Sequence, residues 1–281
     1  MRLNTLTIIG VGLIGGSVGL AARRRGLARK VIGCCRDGVV GERARQAGAI
    51  DSFTLDLGAA VRDADLVIYC TPVHLIVRQA LSVIEAYRNG AVITDAGSTK
   101  GSIVRDLDAM HGTKGLSFVG SHPLAGSEKR GIDHANENLF DGKTTILTPT
   151  ARTQAPALEL VAQFWQGLGC VIKLMDPETH DRSLAVTSHL PHLAASALAG
   201  ILPPGLQSLA ASGFRDTTRI AAGDPELWTA IFKDNAPALL AALDQFTDRL
   251  AQYRQAIESG DTAMLEQLLF SGKKIRDSLG N

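Results

Sequence analysis

The chain has 281 residues, enough for two domains at roughly 100 to 200 residues each, and 45% of them are hydrophobic, so a sizeable core can form. Its 29 basic and 28 acidic residues leave a formal charge of +1, which supplies no global field for nucleic acid or an anionic membrane, so any anion must be held by local groups. Cysteines 34, 35, 70 and 170 have neither metal-ligand spacing nor the density of a disulfide scaffold, which predicts no metal site and buried thiols in a reducing, cytoplasmic compartment.

The first stretch, Thr5 to Val11, is a β-branched run of strand length that leads into Gly10, Gly12, Leu13, Ile14 and Gly15, followed by a helical pattern through Leu20 to Arg25. Strand, glycine turn and helix in that order make the dinucleotide fingerprint. The first glycine permits the tight turn, the second lets backbone approach a pyrophosphate, and the third allows close helix packing. The helix amino terminus then faces the phosphates. A glycine-rich turn of some other α/β protein is the alternative. The apolar segment Thr7 to Ala22 is too short to span a bilayer, and its glycines and the following Arg23, Arg24 and Arg25 are unlike a secretory leader.

A second strand, Val31 to Cys35, ends in Cys35, Arg36 and Asp37. An acidic residue at such a strand end takes both ribose hydroxyls of NAD. Cys35 stands there instead, and Arg36 offers a cation to a 2′-phosphate. This predicts either NAD or NADP as cofactor, with NADP slightly ahead; the alternative is a solvated Arg36 with Asp37 reaching the ribose. Leu66 to Cys70 and Ala91 to Thr94 are further buried strands around a helix from Leu75 to Tyr87, and alternating strands and helices predict a parallel sheet. The loops that follow carry Thr71 and Pro72, expected against the cofactor, and Ser98 and Lys100. Ser98 and Lys100 can contact nicotinamide or substrate, or serve as a helix cap and a solvated lysine.

Phe118, Val119 and Gly120 form an apolar run that ends in Ser121, His122 and Pro123, then a glycine-punctuated turn with Glu128, Lys129 and Arg130. Proline cannot continue a central ladder, so His122 is expected at the carboxyl edge of the sheet, where open α/β sheets hold ligands. It is either a histidine presented to a cleft or a hydrogen-bonding residue capping a strand end. Strands at Thr144 to Thr148 and Val171 to Leu174 flank a helix from Ala157 to Leu168.

Asp176, Pro177 and Glu178 mark a break, with aspartate as cap and proline in the first helical turn. The expected domains are residues 1–175 and 176–281. Beyond Glu178 only alanine- and leucine-rich helical patterns remain. One is interrupted by His189, Pro191 and His192, where proline distorts the helix; the two histidines have little value there as plain scaffold, and a satisfied core histidine is the alternative for either. Another polar cluster holds Arg215, Asp216, Thr217, Thr218 and Arg219. Four residues apart, Arg215 and Arg219 share a helix face and can clamp carboxylates, or form a solvated basic face. Asp224, Pro225 and Glu226 start a helix carrying Trp228.

Gly10 to Ser17, Asp95 to Gly101, Ser121 to Glu128, Ser188 to His192, and Gly213 to Arg219 with Asp224 to Trp228 follow one another in this order. With them the sequence resembles the prephenate and arogenate dehydrogenases of tyrosine biosynthesis over nearly its whole length. The resemblance implies an α/β fold: an N-terminal Rossmann-type dinucleotide-binding domain followed by an all-helical C-terminal dimerisation domain, with the active site between them. It implies a homodimer that binds a small-molecule substrate and neither nucleic acid nor membrane. The reaction implied is oxidative decarboxylation of prephenate or arogenate with hydride transfer to NAD(P)+. His122 is then the acceptor of the ring-hydroxyl proton, Arg219 binds a substrate carboxylate, and Ser98, Glu128, His192 and Arg215 line the site, Ser98 beside the reacting groups. The sequence departs from the family's pattern at Cys35, where an acid is frequent, and at Arg215, where lysine is expected in many members. No added regulatory domain is expected after the helical one. Other oxidoreductases of hydroxyacids or imines, and a nicotinamide-sensing binding protein, are the competing readings.

Overall fold

The computed structural model describes residues 2–127 and 129–280. In chain order the strands are β1 (Leu3–Ile9), β2 (Ala28–Cys34), β3 (Ser52–Thr54), β4 (Leu66–Tyr69), β5 (Val92–Asp95), β6 (Ser117–Pro123), β7 (Thr144–Thr148) and β8 (Val171–Leu174). Between and after them run α1 (Leu13–Arg24), α2 (Gly38–Gln46), α3 (Leu57–Val61), α4 (Val73–Ser82), α5 (Gly101–Leu107), α6 (Ala155–Gly167), α7 (Pro177–Leu184), α8 (Leu190–Gly200), α9 (Ser212–Thr218), α10 (Pro225–Asp234), α11 (Ala236–Ser259) and α12 (Thr262–Ser278).

The strands form one sheet in the order β3-β2-β1-β4-β5-β6-β7-β8. Order reverses between β1 and β4, the point at which a doubly wound sheet opens a crevice beyond its carboxyl edge. Alternate residues of the buried strands serve opposite faces: Leu66 and Ile68 join a core with Val18, Val161, Phe164 and Trp165, while Val67 and Tyr69 join one with Ile76, Ile103 and Leu107. That two-sided burial explains the near-continuous apolar runs.

Two local features correct the sequence reading. The sheet is not wholly parallel, because β7 runs antiparallel to β6 and carries β8 with it. Pro123 lies within the ladder, opposite Thr145, rather than ending it. Pairing of β6 with β5 stops at Val119, so residues 120–123 have one free flank on which a missing N–H is tolerated. The short β3 was not anticipated, since three residues give no periodicity to read.

Aspartate caps recur where the chain enters a helix. Asp37, Asp56, Asp176, Asp224 and Asp261 each accept a backbone N–H three residues on. After α7 the chain winds a π-helical turn over Ala185–His189 before α8 begins with Pro191 in its first turn. Proline has no N–H to give the preceding turn, and the wider π turn absorbs the mismatch. By compactness the chain divides into residues 1–235 and 236–281. In the second unit α11 and α12 pack on each other. No helix among the described residues is long and apolar enough to cross a membrane.

Candidate active site

The glycine turn closes β1 against β4. Gly10 has a φ of +90°, and a side chain there would meet Thr71 Cγ2 at 2.8 Å. A Cβ on Gly15 would lie 2.1 Å from the Gly10 carbonyl oxygen, so only glycine lets α1 approach the strand this closely. At Gly12, by contrast, a Cβ would find nothing within 4 Å, and Gly12 is the N-cap of α1 without any side-chain cap. Open space above uncapped N–H groups suits a pyrophosphate. Leu13 and Ile14 open the helix, and Thr71 and Pro72 form the facing loop, with Thr71 Oγ1 donating to Gln79 Oε1 at 2.7 Å. The residues expected to hold a dinucleotide are thus brought together and fit one.

At the end of β2, Cys35 is buried, and burial pushes its thiol up to about 11, leaving a neutral group. Asp37 is engaged as the α2 cap, accepting the Val40 N–H at 2.9 Å. The Arg36 side chain is 93% exposed and lies 3.8 Å from Asp37.

His122 sits at the carboxyl end of β6, buried except for a 9% opening. Its Nδ1 is 2.9 Å from His180 Nε2, and His180 Nδ1 is 2.8 Å from Asp181 Oδ1. The Asp181 carboxylate also accepts the N–H groups of Lys100 and Gly101, both at 2.8 Å, which cap α5. Burial alone would raise the Asp181 carboxyl, but hydrogen bonds from His180 and from these two N–H groups outweigh it and hold it below its ordinary value. Burial, with His180, Lys100 and His189 nearby, holds His122 well below the ordinary imidazole range. Among the described residues nothing bonds to His122 Nε2.

Lys100 is fully buried and ion-paired with Asp95, which corrects the solvated alternative. Asp95 also accepts the Ser121 N–H at 3.0 Å, and Ser121 Oγ receives the Trp165 indole N–H at 3.0 Å. Ser98 is half-buried in the same loop; it does not cap α5, whose N-cap is Lys100. On the helical side, Asn235 Nδ2 donates to the Asp181 carbonyl at 2.8 Å and lies 3.1 Å from His189 Nδ1. His192 stacks on Trp228 with ring centroids 3.6 Å apart and planes 13° from parallel. His189 Nε2 and His192 Nδ1 are buried without a partner among the described residues, a cost that a polar ligand would offset. Both imidazoles are held low by burial, His189 at about 4.

Arg215 and Arg219 do not share one α-helix. α9 ends at Thr218, and Arg219 begins a 3-10 turn, Arg219–Ala222, that packs on α8. Both are exposed; Arg215 Nε donates to the Ala210 carbonyl at 2.8 Å, while Arg219 has no partner among the described residues. Arg130 pairs with Asp224, tying the loop after β6 to the cap of α10. Glu128 lies outside the described residues.

His180, Asp181 and Asn235 escaped the sequence reading. A signal existed: Pro177, His180, Asp181 and Leu184 are the buried positions of α7, an i, i+3, i+4, i+7 stripe in which two polar residues replace apolar ones.

A doubly wound sheet with a glycine turn at its switch point and a neutral imidazole at the carboxyl end of β6, three strands further along the same sheet, defines an NAD(P)-dependent oxidoreductase. Residues 18–174 match the family model described as prephenate dehydrogenase, nucleotide-binding domain, and residues 176–271 that described as prephenate dehydrogenase, dimerization domain. The chain belongs to the prephenate dehydrogenase family. It is 38% identical to a cyclohexadienyl dehydrogenase of Zymomonas mobilis, over 98% of this chain and 95% of that protein. The structure of prephenate dehydrogenase from Aquifex aeolicus with hydroxyphenyl propionate and NAD+ superposes with a TM-score of 0.92 at 33% identity, covering 99% of both chains. Arogenate dehydrogenase from Synechocystis superposes with a TM-score of 0.83 at 33% identity, covering 98% of this chain and 99% of that one.

Proposed function

We propose that the protein oxidises and decarboxylates prephenate or arogenate, passing hydride to NAD(P)+, and so yields 4-hydroxyphenylpyruvate or tyrosine. The observation that carries this reading is His122: a neutral imidazole at the carboxyl end of β6, in the sheet whose switch point carries the glycine turn, with Nε2 unbonded among the described residues. The nicotinamide ring, when bound, supplies the hydride acceptor. His122 Nε2 takes the ring hydroxyl proton as hydride leaves the carbinol carbon. The carboxylate then departs as carbon dioxide, its bonding pair passes through the ring to the oxygen, and the proton returns there, so the product is a phenol. Aromatisation drives the loss of carbon dioxide, and the protein's task is to orient a substrate bearing carboxylates.

Arg219 is assigned to one carboxylate, with Arg215, His192 and Glu128 lining the substrate and Ser98 beside the reacting hydroxyl. Gly10, Gly12, Leu13, Ile14, Gly15, Thr71 and Pro72 hold the dinucleotide, with Arg36 near the ribose. Residues 1–175 act as the nucleotide domain and residues 176–281 as the substrate and dimerisation domain. A homodimer is supported by the dimerization-domain match and by outward Leu250, Ile257, Phe270 and Ile275 on α11 and α12. A cytoplasmic location is supported by the free, buried Cys34, Cys35 and Cys170. The test is a four-way assay of the purified protein, each substrate with each cofactor, following reduced nicotinamide. No turnover in any combination, with cofactor still bound, overturns the reading and favours a binding protein.

A further inference from the structure

We propose that His180 and Asp181 are positioning residues: through two successive imidazole contacts the Asp181 carboxylate fixes the tautomer of His122, so that the lone pair faces the substrate from Nε2. The catalytic consequence rests on the function proposed above; the tautomer does not.

An ionised carboxylate only accepts. Asp181 takes three N–H groups, from Lys100, Gly101 and His180 Nδ1. Its charge is therefore satisfied at the amino terminus of α5, where the helix dipole also favours an anion. His180 must place its proton on Nδ1, to donate to Asp181. His180 is fully buried, and burial and Lys100 lower its pKa despite the opposing pull of Asp181, so it is neutral and carries no second proton. Its Nε2 is then an acceptor, and the contact at 2.9 Å requires His122 to donate from Nδ1. The remaining lone pair of His122 lies on Nε2.

A neutral histidine side chain in water prefers its proton on Nε2, which would point a donor at the reacting hydroxyl and leave no base. The chain of contacts reverses that preference. It also orients the His122 ring, whose plane lies 63° from that of His180. When Nε2 gains the substrate proton, the positive charge on His122 faces a neutral imidazole whose far nitrogen is held by an anion, the arrangement by which a carboxylate supports a catalytic imidazole without taking its proton.

The test is nitrogen NMR on protein with 15N-labelled histidine, the His122→Asn variant identifying the His122 resonances among the seven histidines. In the wild type His122 should show a protonated Nδ1 and an unprotonated Nε2. In Asp181→Asn, whose amide can donate toward His180, the pattern on His122 should invert. In His180→Phe, which keeps bulk without an acceptor, His122 should revert to the Nε2–H form. Either variant that folds, judged by cofactor binding, should lose about a hundredfold or more in kcat with KM little changed, within the range for a positioned base. A wild-type His122 protonated on Nε2, or a tautomer unchanged in the variants, overturns the proposal. Inverted tautomers with unchanged kcat overturn its catalytic consequence. Wild-type protein that turns over neither substrate counts against the proposed function alone, because the spectra need no substrate.

Discussion

Three side chains carry sharply different burdens. His122→Asn should keep the fold and cofactor affinity and lose about a hundred- to ten-thousand-fold in turnover, the usual worth of a positioned base; near-normal turnover of the purified variant removes His122 from the mechanism. Arg219 presents an exposed guanidinium, so Arg219→Ala should leave the melting temperature unchanged and raise KM by about ten- to a hundredfold, the loss of a charge-assisted hydrogen bond worth about 1.5 to 3 kcal/mol. An unchanged KM places the anion site elsewhere. At the end of β2 the outcome depends on competition. Cys35 is neutral and Asp37 is engaged with the Val40 N–H, so the exposed Arg36 can turn from Asp37 to a 2′-phosphate, against the remaining negative charge of Asp37 and of Asp56 near Cys34. The wild type should accept both cofactors with some bias to NADP. Arg36→Ala should lower kcat/KM with NADP by about tenfold or more, on the same hydrogen-bond energy, and leave NAD little changed. Equal losses with both cofactors mean that Arg36 serves the fold or the shared adenosine.

Among the elements, the junction of β1 and α1 is the least tolerant of added atoms. A methyl on Gly15 would lie 2.1 Å from backbone oxygen and 2.9 Å from Ile8 Cγ2, neither of which can swing aside as a flexible side-chain end would. Gly15→Ala should therefore push α1 outward, cost about 1 to 3 kcal/mol as overpacking does, and weaken cofactor binding as the helix terminus leaves the phosphates. Gly12→Ala is the control, since its Cβ meets no protein atom: a stability near wild type with reduced cofactor affinity is expected. Denaturant titration and quenching by reduced nicotinamide separate the two effects. The π turn before α8 works in the other direction, as an irregularity that positions groups: it carries His189 into the buried network beside Asn235 and accommodates Pro191, which has no N–H to give the preceding turn.

For the molecule as a whole, burying several neutral imidazoles makes stability depend on pH. His189 falls from the ordinary 6.5 to about 4, and His122 and His180 are also lowered. In the unfolded chain these groups take protons near pH 6.5, while in the native state they resist. Between about pH 6.5 and 4 the unfolded state binds more protons, so stability is full above that window and falls as pH drops through it. Each such group contributes a slope of about 1.4 kcal/mol per pH unit where the two states differ by a whole proton. Denaturant unfolding followed through Trp165 and Trp228 across this range should show the loss, and His189→Asn should flatten it. An identical pH slope in the variant means that other groups set the acid limb.

Local sequence was enough to specify the strands, the glycine turn and the helix starts, because those depend on neighbours in the chain: apolar runs of strand length, Gly10, Gly12 and Gly15 in order, and aspartate before proline at Asp176 and Asp224. It also delivered His122 to a strand end. What it could not specify was partnership across distance. His180 and Asp181 are separated from His122 and Lys100 by 58 and 81 positions, and their meaning appears only when α7 lies against the amino terminus of α5 and the end of β6. Local sequence left Lys100 open between a ligand contact and a solvated cation, because nothing near it reveals that Asp95 will turn inward with it. The reversed direction of β7 was hidden for the same reason, since a strand's own residues record its burial and not the direction of its neighbour. Backbone conformation follows from short-range sterics and spacing, whereas the protonation state and tautomer of a buried group follow from which donors and acceptors tertiary packing sets against it, and that only the folded chain decides.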